Sequence, residues 1–323
     1  MIITKTPFRI SLGGGGTDLP SYCRNFGGFI FGVAINLYFK VFVTKPVIDE
    51  DVHVRYSQYE AVAHHCDLKH NISRESLKML GVSANIDITF QSDTPAGTGL
   101  GSSGSCAVGL LNALHCFKER PVSQEKLAQE AFKVTQNLGW PDGAQDPYLA
   151  ALGGFVVLEI DKSNNVTFYH PEIAEETVKR FLNQTLLFYT GVRRNSADVL
   201  GQQDRKKAIE AKHITKEIGL DILKNFELGD LDRFGVNMRK HWALKKQMSS
   251  NISSDYFDSI YDLAIKNGAM GGKLIGAGGG GYFLFYCSGE KIGGVKKILS
   301  ENGLRQVAFG IDYQGTRFLD VDF

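Results

Sequence analysis

Gly97, Gly99, Gly101 and Gly104 crowd into the stretch DTPAGTGLGSSGSCA (residues 93–107), and what flanks them limits the folds open to this chain. Upstream, Ile86-Asp87-Ile88-Thr89-Phe90 alternates apolar and polar like a half-buried strand; downstream, Val108, Leu111, Leu114 and His115 recur at helical spacing. The glycines therefore sit between a strand and a helix start, where a backbone without side chains can approach a ligand closely. The unpaired N–H groups and positive dipole end of such a helix favour an anion, phosphate above all. Ser102, Ser103 and Ser105 add hydroxyls there, able to donate to a phosphate oxygen or to ligate an accompanying Mg²⁺.

Short glycine–serine runs are often plain turns, so the motif is weighed against its alternatives. Gly99-Leu100-Gly101-Ser102-Ser103-Gly104 satisfies GxGxxG, the dinucleotide fingerprint, and keeps an NAD-dependent oxidoreductase open as a remote reading. The fit is poor. That fingerprint belongs to a βαβ unit whose second strand ends in an acidic residue, whereas residues 121–137 read as a second helix with Ser123 as its N-cap and Leu127, Ala131 and Val134 as its apolar stripe. No lysine follows the glycines, so the loop is not a Walker A motif.

The 323 residues suffice for two domains with substantial cores, and 43% hydrophobic with 22% charged residues is ordinary for a globular protein. A formal charge of +1 gives no reason to expect a nucleic-acid partner, and Arg205-Lys206-Lys207 is followed by Glu210 and Glu217 as on a solvated helix face. No run approaches the roughly 18 apolar residues of a membrane span, and MIITKTPFRI has no leader pattern, so the expected location is the cytoplasm, away from membranes. Cys23, Cys66, Cys106, Cys116 and Cys287 are scattered and form no CxxC, which points to free thiols. His64-His65-Cys66-Asp67 with His70 lacks two ligand pairs at metal-finger spacing and reads as surface.

In chain order, residues 2–11 read as a strand, followed by Leu12, four consecutive glycines (Gly13, Gly14, Gly15, Gly16) and Thr17-Asp18-Leu19-Pro20. Residues 29–43 form one long strand or two successive ones, and residues 52–57 another. In GAQDPYLAALGG (143–154), Asp146 precedes Pro147 at a helix start. A hairpin follows over 155–160 and 166–170, and the acidic stretch 171–176 marks a boundary between domains 1–172 and 173–323. Beyond it, a strand over 186–190 runs into Arg193-Arg194, residues 197–248 are helical with a break near Gly229, and residues 255–266 form another helix. A last glycine loop, 271–281, leads into a buried strand over 283–286.

Three of these stretches, in this order and spacing, resemble the three motifs of the GHMP kinases, the superfamily of galactokinase, homoserine kinase and mevalonate kinase. Residues 95–103 are similar to its second motif, P-x-x-x-G-L-G-S-S, which wraps ATP phosphates. Pro7-Phe8-Arg9 through Thr17-Asp18 resembles the first, and Gly271 through Tyr282 the third. Within the superfamily, TPFRISLGGGGTDLP, GAQDPYLAALGG, WALKKQMSS and GGKLIGAGGGGYFLFY resemble the D-glycero-D-manno-heptose 7-phosphate kinases.

The resemblance implies an α+β, two-domain GHMP kinase fold, with a ribosomal protein S5 domain 2-like N-terminal domain, a ferredoxin-like C-terminal domain and the site between them. It implies ATP and Mg²⁺, and a small-molecule sugar or sugar phosphate phosphorylated on its anomeric C1 hydroxyl. D-glycero-D-manno-heptose 7-phosphate, giving the 1,7-bisphosphate, leads; fucose or another hexose, and a catalytically silent sugar- and ATP-binding regulator, are the alternatives. On the family's register Asp146 accepts the proton of the attacking hydroxyl and Arg9 sits near the transferred phosphoryl. Pro95, Gly97, Gly99, Leu100, Gly101, Ser102, Ser103 and Gly104 hold ATP, and Ser103 also the metal. Asp18 holds sugar hydroxyls, Gly15 and Gly16 replace a galactokinase Glu and His and leave room for a larger substrate, and Gly278, Gly279 and Gly280 face the substrate. Thr135 stands where relatives carry a metal-binding Glu, which leaves Ser103 and the nucleotide to hold Mg²⁺. Arg193 and Arg194, between a strand end and a helix start, are the candidates for an acceptor phosphate, with Lys245, Lys246 and Lys273 behind them.

Overall fold

The computed structural model describes residues 1–193 and 206–319. The apolar run near the N-terminus is one strand, β2 (Gly28–Thr44), and its 17 residues are long enough to serve two neighbours on one edge. Its first half pairs antiparallel with β6 (Phe155–Ile160) and its second half with β5 (Ile86–Ser92), while β1 (Ile2–Gly13) runs along the other edge. Parallel to β5 lies β3 (Val52–Arg55), which carries β4 (Tyr59–Val62); β7 (Val166–Tyr169) hangs on β6. An eighth strand, β12 (Arg317–Leu319), returns to pair with β1.

Helices α1 (Pro20–Phe26), α2 (Asn71–Leu80), α3 (Ser102–Phe117), α4 (Gln124–Asn137) and α5 (Gln145–Leu152) accompany this sheet. One core joins Val41, Val43 and Ile88 of the sheet to Leu110, Leu114, Ala131 and Leu149 of the helices. Small residues let these helices lie close, and most of α3 is buried as a result. The expected N-cap holds: the Ser123 side chain accepts from Lys126 N.

The second sheet is antiparallel in the order β11–β8–β10–β9, with β8 (Thr185–Tyr189), β9 (Ala269–Leu274), β10 (Tyr282–Cys287) and β11 (Arg305–Val307). Around it run α6 (Glu175–Gln184), α7 (Lys206–Glu227), α8 (Leu231–Met248), α9 (Asp255–Lys266) and α10 (Ile292–Glu301). The expected break near Gly229 separates α7 from α8: Gly229 has φ +70°, and the Asp230 carboxylate caps α8 by accepting from Arg233 N. Strand β10 is buried along its whole length, which is why its sequence is continuously apolar.

A second core fixes the two sheets against each other. Phe226 of α7 lies 5.2 Å from Phe181 of α6 and 5.0 Å from Phe234 of α8, ring centre to ring centre, and also meets Phe31 of β2 and Phe155 of β6. Each fully buried phenylalanine contributes about 1.5–3 kcal/mol, with edge-to-face geometry adding to it. The glycine run after β1 belongs to the same junction. A Cβ on Gly14, whose φ is +75°, would stand 1.9 Å from the Phe29 carbonyl oxygen.

This is an α+β architecture. We propose the boundary at 172/173, with strands β1–β7 in the first unit, β8–β11 in the second, and β12 crossing back to the first sheet.

Candidate active site

Arg9, at the centre of β1, is buried and reaches two other elements. Its main-chain N donates to Leu100 O at 3.0 Å, and its Nη1 donates to Gly99 O at 2.6 Å, so the glycine loop is pinned to the sheet. Its Nε and Nη2 both approach Asp146 Oδ1, at 2.8 and 2.6 Å. Two nitrogens thus converge on one carboxylate oxygen, and Oδ2 has no hydrogen-bond partner among the described residues. Asp146 is the second residue of α5 rather than its cap, which is Ala144; the carboxylate still sits in the first turn, where the helix dipole stabilises negative charge. Helices α3 and α5 meet there backbone to backbone. A Cβ on Gly104 would lie 2.6 Å from Cβ of Asp146, so glycine at 104 sets the position of the carboxylate.

Two cavities meet at the start of α3. One, of about 110 Å³, is lined by Arg9, Asp146, Ser11, Gly15 and Gly16 from the first sheet's side and by His241, Lys245 and Lys273 from the second's. The other is a groove of about 890 Å³ with Phe39, Tyr56, His70, Phe90 and Trp140 in its walls. Gly97, Ser102, Ser103 and Asp142 belong to both. Pro95 faces the groove, while Gly99 and Gly101 face the small cavity. An anion held by the loop and the first turn of α3 would therefore bridge them.

Several expected ligands turn out to be supports. Asp18 is fully buried behind the small cavity: its Oδ2 accepts from Gln145 N at 3.1 Å, and a Cβ on Gly143 would stand 2.0 Å from that oxygen. It holds the start of α5, with no surface left for sugar hydroxyls, and burial pushes its pKa up to about 6. Leu100 is a core side chain, and Gly104 is a packing position. Gly278, Gly279 and Gly280 pack against Ile252 and Val192 and line neither cavity; Gly276 and Ala277 take that place. This last loop braces the glycine loop 97–104, since a Cβ on Gly99 would lie 2.3 Å from Ile275 O and Thr94 Oγ1 meets Tyr282 OH at 2.8 Å.

The basic candidates separate in the same way. Arg193 is exposed and lies at the edge of the aromatic groove, not on the small cavity; Arg194 lies outside the described residues. Lys246 turns to Asp258, Nζ to Oδ1 at 2.9 Å. Lys273 is buried, its Nζ donating to Leu12 O at 2.9 Å and lying 3.1 Å from His241 Nδ1. Burial, then the nearby Arg9 charge, lowers its pKa to about 7. His241 is held well below its usual range by burial and by Lys273 and Lys245, so it stays neutral and accepts.

Sequence reasoning missed Asp142, His241, Ser11 and His70. Asp142 stands on the shared wall, and burial followed by the Asp146 and Asp18 charges raises its pKa to about 7. Its position two residues after Trp140 in a short loop carries no motif. His70, read as surface, is the half-buried N-cap of α2, accepting from Ser73 N and packing 5.1 Å from Phe90 in the groove. Thr135 is buried in α4, its hydroxyl donating to Phe132 O at 2.9 Å, and reaches neither cavity. No cluster of three metal-ligating side chains occurs among the described residues.

Residues 66–154 match the family model for the GHMP kinases N terminal domain and residues 222–304 the model for the GHMP kinases C terminal. A mevalonate kinase of Methanocaldococcus jannaschii is 30% identical over 219 residues, 68% of this chain and 67% of the relative. The chain belongs to the GHMP kinases. It is accordingly a phosphotransferase with an alcohol group as acceptor, a kinase of the sugar kinase kind. A D-glycero-alpha-D-manno-heptose 7-phosphate kinase of Campylobacter jejuni is 29% identical over 322 residues, covering 94% of this chain and 95% of that protein. The fold agrees over its whole length with that of a D-glycero-D-manno-heptose 1-phosphate kinase from Bacteroides thetaiotaomicron (TM-score 0.83, 22% identity, 100% of both chains). A Lactococcus lactis galactokinase solved with galactose shares it too (TM-score 0.76, 17% identity, 99% and 95% covered). The dinucleotide reading of GxGxxG falls on topology: α3 leads to α4, and the next strand, β6, joins β2 antiparallel, so no βαβ unit follows the loop. Among the described residues no helix is long and apolar enough to cross a membrane.

Proposed function

We propose that the chain transfers the terminal phosphoryl of ATP to the anomeric C1 hydroxyl of a sugar, with D-glycero-D-manno-heptose 7-phosphate as the acceptor and the 1,7-bisphosphate as the product. The observation that carries this reading is the Arg9–Asp146 pair at the meeting point of the two cavities. The aromatic groove suits a purine, the loop 97–103 and the α3 start suit its phosphates, and the small polar cavity suits the acceptor. The near full-length likeness to the Campylobacter jejuni heptose 7-phosphate kinase supports the choice of sugar.

In this reading Arg9 fixes Asp146 Oδ1, so that Oδ2 is the oxygen left to take the proton of the C1 hydroxyl as it attacks. The same guanidinium lies beside the phosphate loop and offsets charge building on the transferred group. Little covalent work falls to the protein, and alignment with electrostatic support does most of it. Ser103 and Asp142 on the shared wall carry the hard oxygens that would hold a Mg²⁺ ion. Such an ion would supply neutralising charge to the nucleotide phosphates. Thr135 has no part in it.

Initial rates with ATP against heptose 7-phosphate, fucose, galactose and mannose test the reading. Heptose 7-phosphate should give the highest kcat/KM, by about tenfold or more over each neutral sugar. A higher value for fucose would transfer the assignment to a hexose kinase, and ATP binding with no turnover on any acceptor would favour a silent regulator.

A further inference from the structure

Asp146 is carried by a helix of only 8 residues, α5, and both ends of that helix are tied down. At its start Gln145 N donates to Asp18 Oδ2, and Gly104 packs against Asp146 itself. Its far end is closed by a strap that arrives from the other sheet. After β11 the chain sets Phe309 against Phe181, ring centres 6.3 Å apart, and crosses the first sheet over residues 310–316, where Ile311 bridges to Ile35 of β2, before pairing as β12. Main-chain bonds seat this strap on the end of α5: Gly154 N donates to Asp312 O at 2.6 Å and Thr316 N to Ala151 O at 3.0 Å. The second of these satisfies a carbonyl of the kind a helix leaves open at its C-terminus.

The seat is close. A Cβ on Gly315 would stand 2.1 Å from Ala151 O, and one on Gly153 2.3 Å from Gly315 N. One buried carboxylate sets the bend that brings Gly315 there: Asp312 Oδ1 accepts from Gln314 N at 2.9 Å and from Gly315 N at 2.8 Å. Arg317 closes the bend, its Nη1 donating to Asp312 Oδ2 at 2.9 Å and to Gly315 O at 2.8 Å. Packing against α3 and α4 holds α5 sideways, whereas contacts on its ends hold it along its axis. Asp146 and Ala151 are roughly 8 Å apart along that axis, so a slide at one end of so short and closely packed a helix reaches the other. A displacement of about 1 Å at a reacting group can cost about 10²-fold in rate.

We infer that Asp312, held by Arg317, is a positioning residue for the phosphoryl transfer: the bend it shapes stops α5 from sliding and so sets where the Asp146 carboxylate meets the acceptor hydroxyl. The inference rests on the reading of Asp146 as proton acceptor. It adds to the transfer step two residues that line neither cavity and come from the far end of the chain.

A double-mutant cycle on the full chain tests it, read by single-turnover rates and by steady-state kinetics with ATP and heptose 7-phosphate. Asp312→Ala should lower kcat about tenfold or more while both KM values stay within about twofold, because the cavity walls are untouched. Asp312→Asn, whose amide oxygen can still accept from Gln314 N and Gly315 N, should recover most of the rate. In the Asp146→Asn background, Asp312→Ala should lower the residual rate by less than about twofold, since the group it positions is already disabled. A general loosening of the fold would cost the same factor in both backgrounds; that additive result, or an unchanged kcat in Asp312→Ala, would overturn the inference. Arg317→Met, at a partly exposed side chain, carries the cycle if Asp312→Ala fails to fold. If Asp146→Asn keeps wild-type turnover, the proton-acceptor reading fails and amide hydrogen exchange decides the strap by itself. Faster exchange along α5 in Asp312→Ala, with β5 unchanged, would uphold the clamp, and unchanged exchange along α5 would overturn it.

Discussion

The two cavities that meet at Ser102 and Ser103 are built on opposite principles. The groove is wide and aromatic, and its walls come mostly from strands β2 and β5 and the loops around α2 and Trp140 on the first sheet's side, with Arg193, beyond β8, at its edge. The small cavity is charged, and it exists only where β1, α5, α8 and β9 converge from both sheets. In the function proposed above, the groove would receive a flat, uncharged ring, and the small cavity would receive the reacting groups, with its cations and carboxylates supplied from both sheets. The aromatic core around Phe226 therefore bears on catalysis, because it fixes the two sides of the charged cavity relative to each other.

The sharpest break between the two regions comes from Asp146→Asn. It keeps the Arg9 contact but removes the basic oxygen, so kcat should fall roughly 10²- to 10⁴-fold, with the ATP dissociation constant little changed. Rapid-quench measurement of the chemical step checks it, and a rate near wild type would remove Asp146 from the proton transfer.

Asp18→Asn comes next in size and asks whether the second carboxylate near α5 holds structure. Its pKa is raised to about 6 from the unfolded value of 3.8, so the folded state binds the proton more tightly. Stability linked to it is fully present below about pH 4 and is lost as pH rises through 6. The variant lacks this loss, and its Oδ1 can still accept from Gln145 N. Its stability relative to wild type should therefore climb between pH 4 and 7, by an upper bound of roughly 3 kcal/mol. Denaturant titrations across that range check it; a flat difference would mean the carboxyl is not desolvated as described.

On the groove side, Phe90→Ala should raise the ATP KM about 5- to 50-fold while leaving the acceptor KM within a factor of about two, the scale of one base–aromatic stack. A change falling on the acceptor instead would reverse the assignment of the cavities. Arg193→Ala should have the smallest effect, less than about twofold on either KM, since its side chain is exposed at the groove edge.

Local pattern made much of this legible. The strand, glycine loop and α3 start, the Ser123 cap, the Gly229 break and the buried β10 all follow from residues near one another in sequence. The Arg9 to Asp146 contact spans 137 positions, and only the resemblance to known motifs brought those two residues into one site. What escaped was whatever depends on packing between layers. Asp18 and Asp146 both read as site carboxylates, yet the backbone of Gly143 seals one and leaves the other facing a cavity. Gly278 to Gly280 look like the first glycine loop in letters but serve as its brace, because Ile252 and Val192 cover them. Lys273 and His241 meet in the small cavity's wall through a contact across 32 positions between a strand and a helix, which no spacing rule reports.

The most direct test of the account is phosphorus NMR of the product formed from ATP and D-glycero-D-manno-heptose 7-phosphate. A second sugar phosphorus signal coupled to the anomeric proton, appearing in step with ADP and absent on the same timescale with Asp146→Asn, is the predicted result. Release of ADP with inorganic phosphate alone, or a new phosphate on any hydroxyl other than C1, would contradict it.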